Sequence, residues 1–270
     1  MYDLKRLRPV LVGLKVRLGK DSDGGYVVLR DHLEKTGVLL SFGVAADWSF
    51  EEDFFRRRPG LAVHMFDASV SFPLIIVKFA SKLAKLDFVK AGRYLLAALH
   101  YVTFIVLNDS VAFHRKFIAV RKGRRDVTFE DVLRLLGDAP VAPGSVFVKL
   151  DIEGGEYDLL QSIACHADAI NGMVIEFHDL DRMGWKMEEV MKVLGDRYVV
   201  VHVHGNNFTG LVPGTALPTS LEVTLANRSL VTGSPVPDPG PYPHPGLDRA
   251  NDPSMEDYQL NFSYVQSHRS

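Results

Sequence analysis

The sequence contains a single cysteine, Cys165, among 270 residues, so no disulfide bond can form within the chain. The absence of disulfides is typical of a reducing compartment, and we predict a cytoplasmic protein. Cys165 follows Ile163 and Ala164 in an apolar helical pattern. We therefore expect it to be a small buried side chain and not a nucleophile. The first residues also lack the apolar core of a signal peptide.

An excess of charge of one sign is also missing. The chain has 31 Lys and Arg against 33 Asp and Glu, a formal net charge of -2 at pH 7, which disfavours nucleic acid as the main partner. The most apolar segment, residues 94–107, is shorter than the roughly 20 residues that a membrane span needs. We therefore predict no transmembrane segment. A peripheral membrane contact is compatible with the basic residues just before this segment, which are Lys78, Lys82, Lys85, Lys90 and Arg93.

Short apolar runs that alternate with helical patterns predict an α/β fold. The seven expected strands lie at about 37–43, 61–66, 113–120, 146–150, 172–177, 198–204 and 220–225. Residues 1–36 are predicted to be an N-terminal preamble or lid, and residues 37–230 the main domain. That domain has a helical insertion at about 70–113. Residues 231–270 form a Pro- and Gly-rich tail, and no internal repeat is present.

The most informative stretch is the apolar run 146–150 and the acidic turn after it. Asp151, Glu153 and Glu156 follow the run directly, with two glycines among them, and helical spacing then resumes. Ligands of open α/β sheets bind beyond the carboxyl ends of the strands. Three carboxylates in one turn are also costly unless something outside the chain binds them. The alternative is a solvated loop in which Glu156 caps the next helix.

The first predicted strand ends in Ser41-Phe-Gly43, with Asp47 and Ser49 shortly after it. A pyrophosphate cradle needs several glycines at a helix N-terminus. This turn has one glycine and is acidic, which favours a ligand that carries positive charge or hydroxyls. It disfavours an NAD-dependent sugar enzyme. Ser49 and the glutamate three residues later predict a capping box for a helix that runs to residue 58.

Asp67 closes the second predicted strand, roughly 20 residues beyond the first turn. An acidic residue in this position can accept hydrogen bonds from ribose hydroxyls. His178 and His204 each follow a later strand at the same edge, so each could be a general base. The alternative for each histidine is a hydrogen bond to backbone only. Asp151, Glu153 and His178 could also bind a divalent metal; carboxylates favour Mg, whereas histidine favours Mn, Fe or Zn.

The order of these motifs resembles the FkbM-type S-adenosylmethionine-dependent methyltransferases. The similarity lies in the Ser41-Phe-Gly43 turn, Asp67, Thr128-Phe-Glu-Asp-Val-Leu133, Val148-Lys-Leu-Asp151-Ile-Glu153-Gly-Gly-Glu156 and Val174-Ile-Glu176. The resemblance implies a Rossmann-like class I methyltransferase fold with a mostly parallel seven-strand sheet flanked by helices. It implies S-adenosylmethionine as the methyl donor and O-methylation of a hydroxyl on a sugar or natural product.

By the same resemblance, Gly43 lies under the methionine part of the cofactor, Asp67 binds its ribose, and Asp151 faces the site of methyl transfer. We add Ser41, Asp47 and Ser49 of the first turn to the predicted cofactor site. Asp151, His178 and His204 are the predicted catalytic residues. The expected acceptor is a small molecule or a glycan, and a homo-oligomer is compatible with the sequence.

Two other classes of protein stay open on the sequence alone. One is a non-catalytic nucleotide- or sugar-binding protein that kept the Rossmann-like fold, because the first turn lacks the glycines of a full nucleotide loop. The other is a metal-dependent enzyme, such as a hydrolase, that uses Asp151, His178 and His204.

Overall fold

A computed structural model describes residues 4–137, 141–231 and 233–262 of the chain. The outermost parts of the predicted N-terminal preamble and C-terminal tail, residues 1–3 and 263–270, therefore lie outside the described residues. The strands are β1 (Val10–Leu11), β2 (Lys15–Leu18), β3 (Tyr26–Leu29), β4 (Val38–Phe42), β5 (Ala62–Phe66), β6 (Val111–His114), β7 (Phe117–Ile118), β8 (Asp126–Val127), β9 (Val146–Leu150), β10 (Ile170–Phe177), β11 (Tyr198–Gly205), β12 (Leu221–Asn227) and β13 (Val236–Pro237).

The α-helices are α1 (Arg30–Lys35), α2 (Ser49–Arg57), α3 (Phe72–Ala84), α4 (Phe88–His100), α5 (Phe129–Leu135), α6 (Glu156–Ala164) and α7 (Leu180–Gly195). Short 3-10 helices span Leu4–Leu7 and Arg228–Leu230, and a π-helix, Tyr101–Val106, continues α4. The expected helices at residues 70–113 are thus present as α3 and α4. No helix among the described residues is both long and apolar enough to cross a membrane.

The main sheet has seven strands in the order β6-β5-β4-β9-β10-β12-β11. The pairs from β6 to β10 are parallel, and β12 is antiparallel to both of its neighbours. This order and these directions are those of the Rossmann-like class I methyltransferase fold, so the predicted fold class is confirmed. The chain runs outward from β4 to one edge and then returns to β9 to build the other half. The topological switch point therefore lies between the carboxyl ends of β4 and β9.

Two apolar layers cover the two faces of the sheet. On one face the core includes Phe42, Val148 and Ile175, together with side chains of α5, α6 and α7. On the other face Phe147 and Val174 pack with apolar residues of α1, α2 and the β2–β3 hairpin. Because β4, β9 and β10 are covered on both faces, their sequences are nearly continuous apolar runs.

Three details differ from the sequence-based expectations. The third sheet strand is Val111–His114 and not 113–120, because residues 117–118 leave the main sheet and pair with 126–127. The N-cap of α2 is Trp48, and the Asp47 carboxylate, not a Ser49–Glu52 box, accepts from the Ser49 N–H at 3.1 Å. Cys165 is exposed, because α6 ends at Ala164, one residue before it.

Helix α5 begins with a capping box. Thr128 is its N-cap, and its hydroxyl accepts from the Asp131 N–H at 3.2 Å while the Asp131 carboxylate accepts from the Thr128 N–H. The reciprocal pair satisfies two backbone donors that the first turn of a helix otherwise leaves unpaired.

Candidate functional site

The turns after β4 and β9 touch each other at the switch point. Gly43 has a φ of +77°, and a Cβ placed there would lie 1.5 Å from the Asp151 carbonyl oxygen. No side chain fits in that space, so glycine is required both for the left-handed backbone and for the close approach. The predicted cofactor turn and the predicted catalytic residue are therefore in direct backbone contact.

Asp67 lies at the end of β5, where it holds the first turn in place. It is 5% exposed, and its Oδ2 accepts from the Ala45 N–H at 2.7 Å. Its Oδ1 accepts from the backbone N–H and the hydroxyl of Ser69 at 2.7 and 2.6 Å. Each carboxylate oxygen has two lone-pair directions, so Oδ2 keeps one for a ribose hydroxyl. Asp67 thus shapes the turn in addition to any contact with a ligand.

The loop of residues 19–25 covers the first turn. Lys20 Nζ lies 2.6 Å from Asp47 Oδ2, and the Gly19 N–H donates to Asp53 Oδ2 at 3.0 Å. On its other side the loop meets the C-terminal segment, where the Asp23 N–H donates to the Asn251 carbonyl at 3.3 Å. This loop of the predicted lid therefore connects α2 with the segment around Asn251.

Two polar atoms next to this covered turn are buried and have no hydrogen-bond partner among the described residues. They are the indole Nε1 of Trp48 and the hydroxyl of Ser49. A buried polar group without a partner costs about 1–3 kcal/mol. The unsatisfied groups lie at the amino end of α2, where the helix dipole also favours a negatively charged group such as a carboxylate.

A buried ionic network lies beneath the first turn. The Ser41 hydroxyl donates to Glu51 Oε1, and Lys149 Nζ lies 4.0 Å from the same carboxylate oxygen. Lys149 Nζ is also 3.7 Å from Asp151 Oδ2. Burial lowers the pKa of Lys149, but the negative charges of Glu51, Asp151 and Glu176 outweigh it and raise the pKa above its usual value. Lys149 therefore stays charged and offsets the carboxylates of the site. Ser41, predicted to bind the cofactor, contributes to this network.

Tyr26 of β3 connects two carboxylates above the sheet. Its hydroxyl lies 3.1 Å from Asp151 Oδ2 and 3.3 Å from Glu176 Oε2. The Lys149 ammonium lies over the Tyr26 ring, 5.3 Å from the ring centroid. Tyr26 is fully covered, whereas the Asp151 side chain is 22% exposed. Asp151 is therefore the member of this group that a ligand can reach.

Glu176 carries a shifted pKa. Burial raises it, and the neighbouring charges of Asp151 and Glu222 add to the effect, so that the pKa reaches about 8. Glu176 Oε1 already accepts from Asn206 Nδ2 at 2.7 Å and from the Ser220 hydroxyl at 2.8 Å. Its second oxygen, Oε2, faces the Tyr26 hydroxyl, which lies between this carboxyl and Asp151.

His178 lies against the same acidic turn. Its Nδ1 is 2.9 Å from Glu156 Oε1, which also accepts from the Ile152 and Gly154 N–H groups. Its Nε2 points at Asp151 Oδ1, 3.8 Å away. Burial lowers the pKa of His178, but the Glu156 hydrogen bond and the charges of Glu176, Glu156 and Asp151 raise it to about 9. Without a bound cation His178 is therefore an imidazolium at neutral pH and a weak base. Glu156 is buried and structural.

Asp151, Glu153 and His178 can place one ligand atom each around a common centre. These atoms lie within 4.8 Å of one another, and the predicted metal ligands are thus brought together. The Glu153 side chain is 87% exposed, so the cluster opens to solvent on one side. Whether a metal binds there stays a prediction.

The turns above this edge are locally strained. Ala45 follows β4, Glu153 follows β9 and Asp179 follows β10, and all three have φ between 48° and 57°. Non-glycine residues pay about 1–2 kcal/mol for this left-handed conformation. Such strain persists only where the surrounding structure holds it, and it is concentrated at functional sites. All three turns border the switch-point crevice.

His204 lies apart from Asp151, on the β11–β12 side of the sheet. Its Nδ1 is 3.2 Å from Glu222 Oε2, and its Nε2 is 2.9 Å from Asp257 Oδ2 in the C-terminal segment. Burial lowers the pKa of His204, but these two carboxylates raise it to about 10. Both ring nitrogens therefore carry protons at neutral pH. The catalytic assignment of His204 stays a prediction, and its geometry favours a role in holding the C-terminal segment.

We expect His204→Gln to lower the free energy of unfolding by about 3–5 kcal/mol at pH 7, because it leaves the buried Glu222 carboxylate and the partly buried Asp257 carboxylate without their cation. Since the folded pKa of His204 is raised, its contribution is full below pH 6.5 and is lost as the pH rises through about 10. Urea unfolding at pH 7 and pH 10.5 measures this difference. His166→Gln is the control on a half-buried histidine. A His204 effect that is equal at both pH values contradicts the assignment.

Tyr26, Lys149, Glu176 and Glu51 are site residues that were not predicted as such. Lys149 and Glu176 had a signal, since each is a charged residue within an otherwise apolar strand. The pairing Ser41↔Lys149 and Glu176↔Glu222 puts these side chains near the carboxyl edge on one face of the sheet. Tyr26 had no such signal, because it lies 125 residues before Asp151 in the sequence.

Comparison with known proteins adds little to this geometry. No family model and no curated protein sequence matches the chain. Among solved structures it is similar to precorrin-6y C5,15-methyltransferase from Geobacter metallireducens GS-15, with 12% identity, a TM-score of 0.33, and 73% of this chain and 86% of that chain covered. It is also similar to a candidate rRNA methylase from Clostridium thermocellum, with 10% identity, a TM-score of 0.36, and coverage of 73% and 93%. At these values the likeness supports no inference about activity.

Proposed function

We propose that the protein is an S-adenosylmethionine-dependent methyltransferase that methylates a hydroxyl group on a sugar or natural product. The observation that supports it most is the contact of Gly43 with the Asp151 carbonyl oxygen. This contact joins the first turn, where nucleotide ligands bind in such sheets, to a reachable carboxylate at the switch point. The specific reaction, O-methylation, is inferred from the resemblance of the sequence to the FkbM-type family.

The residues at the first turn fit the proposed cofactor. Asp67 Oδ2 retains an acceptor site for a ribose hydroxyl. The unpartnered Trp48 indole N–H and Ser49 hydroxyl can donate to a carboxylate at the amino end of α2. Asp47 can offer a negative charge to an ammonium group if its ion pair with Lys20 opens. Bound S-adenosylmethionine would supply an electrophilic methyl group.

Asp151 is the group that we propose to accept the proton of the acceptor hydroxyl. The Tyr26 O–H and Lys149 ammonium hold its Oδ2, which leaves Oδ1 free for a ligand on the solvent side. The Tyr26 hydroxyl is also 3.3 Å from Glu176 Oε2, so both carboxyl groups hold it in place. Positioned proton transfer of this kind contributes roughly 10²–10⁴-fold to a rate. His178 is placed to orient Asp151 and to offset its charge.

As a second proposal, a divalent metal binds at Asp151, Glu153 and His178. This proposal rests on the convergence of their ligand atoms. The two carboxylates suit hard cations such as Mg or Mn, whereas the imidazole favours softer metals such as Fe or Zn. We expect turnover to fall at least about tenfold after chelation and to return with added Mg or Mn. Full activity of metal-free protein, checked by elemental analysis, would remove the metal from the mechanism and leave the proton transfer to Asp151.

Isothermal titration with S-adenosylmethionine and S-adenosylhomocysteine tests the proposed function. We expect saturable binding of both, and no heat with either would exclude the proposal in favour of a protein that binds another ligand. Asp67→Asn should weaken binding by about tenfold or more, since one oxygen is lost where the ribose is expected. The variant also removes an acceptor from the Ala45 N–H, so unfolding must be measured beside it. Asp109→Asn, at an exposed position, is the matched control.

A further inference from the structure

The hairpin of α3 and α4 exposes an unusual amount of apolar surface. About half of the exposed large apolar side chains among the described residues fall within positions 74–107. They are Leu74, Ile76, Val77, Leu83, Leu86, Phe88, Val89, Leu95, Leu96, Leu99, Val106 and Leu107. Large exposed apolar patches on a soluble protein often mark a site of interaction with a protein or a membrane.

The helical spacing separates an inner from an outer side of this hairpin. On α4, Ala91 and Ala98, seven residues apart, are buried, while Val89 and Leu96, also seven apart, lie on the opposite side of the helix and are exposed. On α3, Ile75 is buried, while Ile76 and Leu83, seven residues apart, are exposed. The two helices pack on each other, and each still presents an apolar side to solvent.

Aromatic contacts fix the base of the hairpin to the main domain. The Tyr101 ring lies 5.4 Å from that of Phe72 and 6.1 Å from that of Trp48, between ring centroids. The Phe104 ring lies 5.7 Å from that of Phe55 on α2. The exposed side chains therefore belong to a hairpin that is packed against the main domain.

The charges of this segment are almost all positive. Residues 72–107 contain Lys78, Lys82, Lys85, Lys90 and Arg93, against one acidic residue, Asp87. The Asp87 carboxylate accepts from the Lys90 N–H at 3.1 Å as the cap of α4 and lies 3.6 Å from Lys90 Nζ. The hairpin thus presents apolar side chains bordered by an excess of cations, which is the composition of helices that lie in the interface of an anionic bilayer.

We propose that the α3–α4 hairpin docks on an anionic lipid surface. Charge complementarity distinguishes this occupant from a second copy of the chain. A two-fold dimer would place the same patch on both sides of one interface, so it would bring two sets of five cations together there. An anionic bilayer offers both acyl chains for the leucines and phosphates for the lysines. Docking does not depend on the proposed methyl transfer.

The position of the hairpin gives the docked protein a defined orientation. Only residues 68–71 separate Asp67, at the carboxyl edge of the sheet, from the start of α3. Docking through α3 and α4 would therefore hold the switch-point edge near the membrane. An acceptor carried in or on a bilayer would be within reach of that edge.

Co-sedimentation of the full chain with vesicles tests the proposal. One set is phosphatidylcholine alone, and the other contains equal parts of phosphatidylcholine and phosphatidylglycerol. We expect binding to the second set that weakens as salt is added. The triple variant Lys78→Gln, Lys82→Gln, Lys85→Gln should bind less by about fivefold per charge. The pair Leu96→Ser, Leu99→Ser should reduce binding at least about tenfold.

Matched controls lie elsewhere on the surface. Arg121→Gln, Lys122→Gln, Arg124→Gln removes the same charge from another exposed basic run, and Leu135→Ser, Val193→Ser removes exposed apolar groups from α5 and α7. These controls should bind vesicles as the unchanged protein does. Thermal unfolding of every variant shows whether it is folded.

Three results would overturn the proposal. The first is no binding of the unchanged protein to the anionic vesicles. The second is equal loss of binding in the hairpin variants and the controls. The third is a dimer in light scattering that the Leu96→Ser, Leu99→Ser pair converts to monomer, because the apolar side would then belong to a second copy.

Discussion

Asp151→Asn is expected to lower methyl transfer by about 10²–10⁴-fold, the range that a positioned proton acceptor contributes. Asparagine has nearly the same shape and can still accept from the Tyr26 O–H, which lies 3.1 Å from Oδ2 in the unchanged protein. It cannot accept a proton from an acceptor hydroxyl. We therefore expect the effect on kcat and not on the affinity for S-adenosylhomocysteine.

The stability of this variant should be preserved. Asp151 is one of the charges that raise the pKa of Glu176, so its neutralisation relieves a repulsion while Lys149 keeps Glu51 as a partner. Turnover is measured with a labelled methyl donor on the first acceptor found in a panel of hydroxylated small molecules and glycans. Asp158→Asn, at an exposed position on α6, is the control. An Asp151→Asn variant with the unchanged rate would exclude Asp151 as the proton acceptor.

Gly43→Ala is expected to disrupt both stability and cofactor binding. The added Cβ would lie 1.5 Å from the Asp151 carbonyl oxygen, so one of the two turns must move. Overpacking of this kind costs about 1–3 kcal/mol or more, in addition to about 1–2 kcal/mol for an alanine in a left-handed conformation. We expect a loss of about 3 kcal/mol or more in the free energy of unfolding. Binding of S-adenosylhomocysteine should fall below detection.

Gly60→Ala is the matched control for this substitution. Gly60 has a φ of +80°, nearly the same as the +77° of Gly43, but nothing lies within 4 Å of its added Cβ. The control therefore carries the backbone strain without the clash, and its cost should be about 1–2 kcal/mol. Urea unfolding and isothermal titration compare the two variants. Equal effects of the two would show that the Gly43–Asp151 contact is not essential.

The main sheet could be predicted from sequence because its buried strands are short, nearly continuous apolar runs. The segments ending at Phe42, Phe66 and Leu150 were placed to within a residue or two, since buried parallel strands tolerate few polar groups. The third strand was misplaced because residues 117–118 have the same β-branched and aromatic character but pair outside the main sheet. Local pattern does not specify which strand a segment pairs with.

The candidate site could be predicted only where its residues follow a strand directly. Asp67, Asp151 and His178 met this condition, and the structure places Asp151 and His178 side by side. Tyr26 reaches Asp151 from 125 residues away, and Asp257 reaches His204 across 53. Such contacts depend on how the N-terminal hairpin and the C-terminal segment fold over the sheet. No spacing rule encodes that placement.

The most direct test of the methyltransferase proposal is a crystal structure with S-adenosylhomocysteine bound. We predict the ribose hydroxyls at Asp67 Oδ2 and the sulfur turned toward the Asp151 carboxylate, with room between them for an acceptor hydroxyl. A product molecule bound away from the Gly43–Asp151 contact, or with its sulfur directed away from Asp151, would contradict the proposed site.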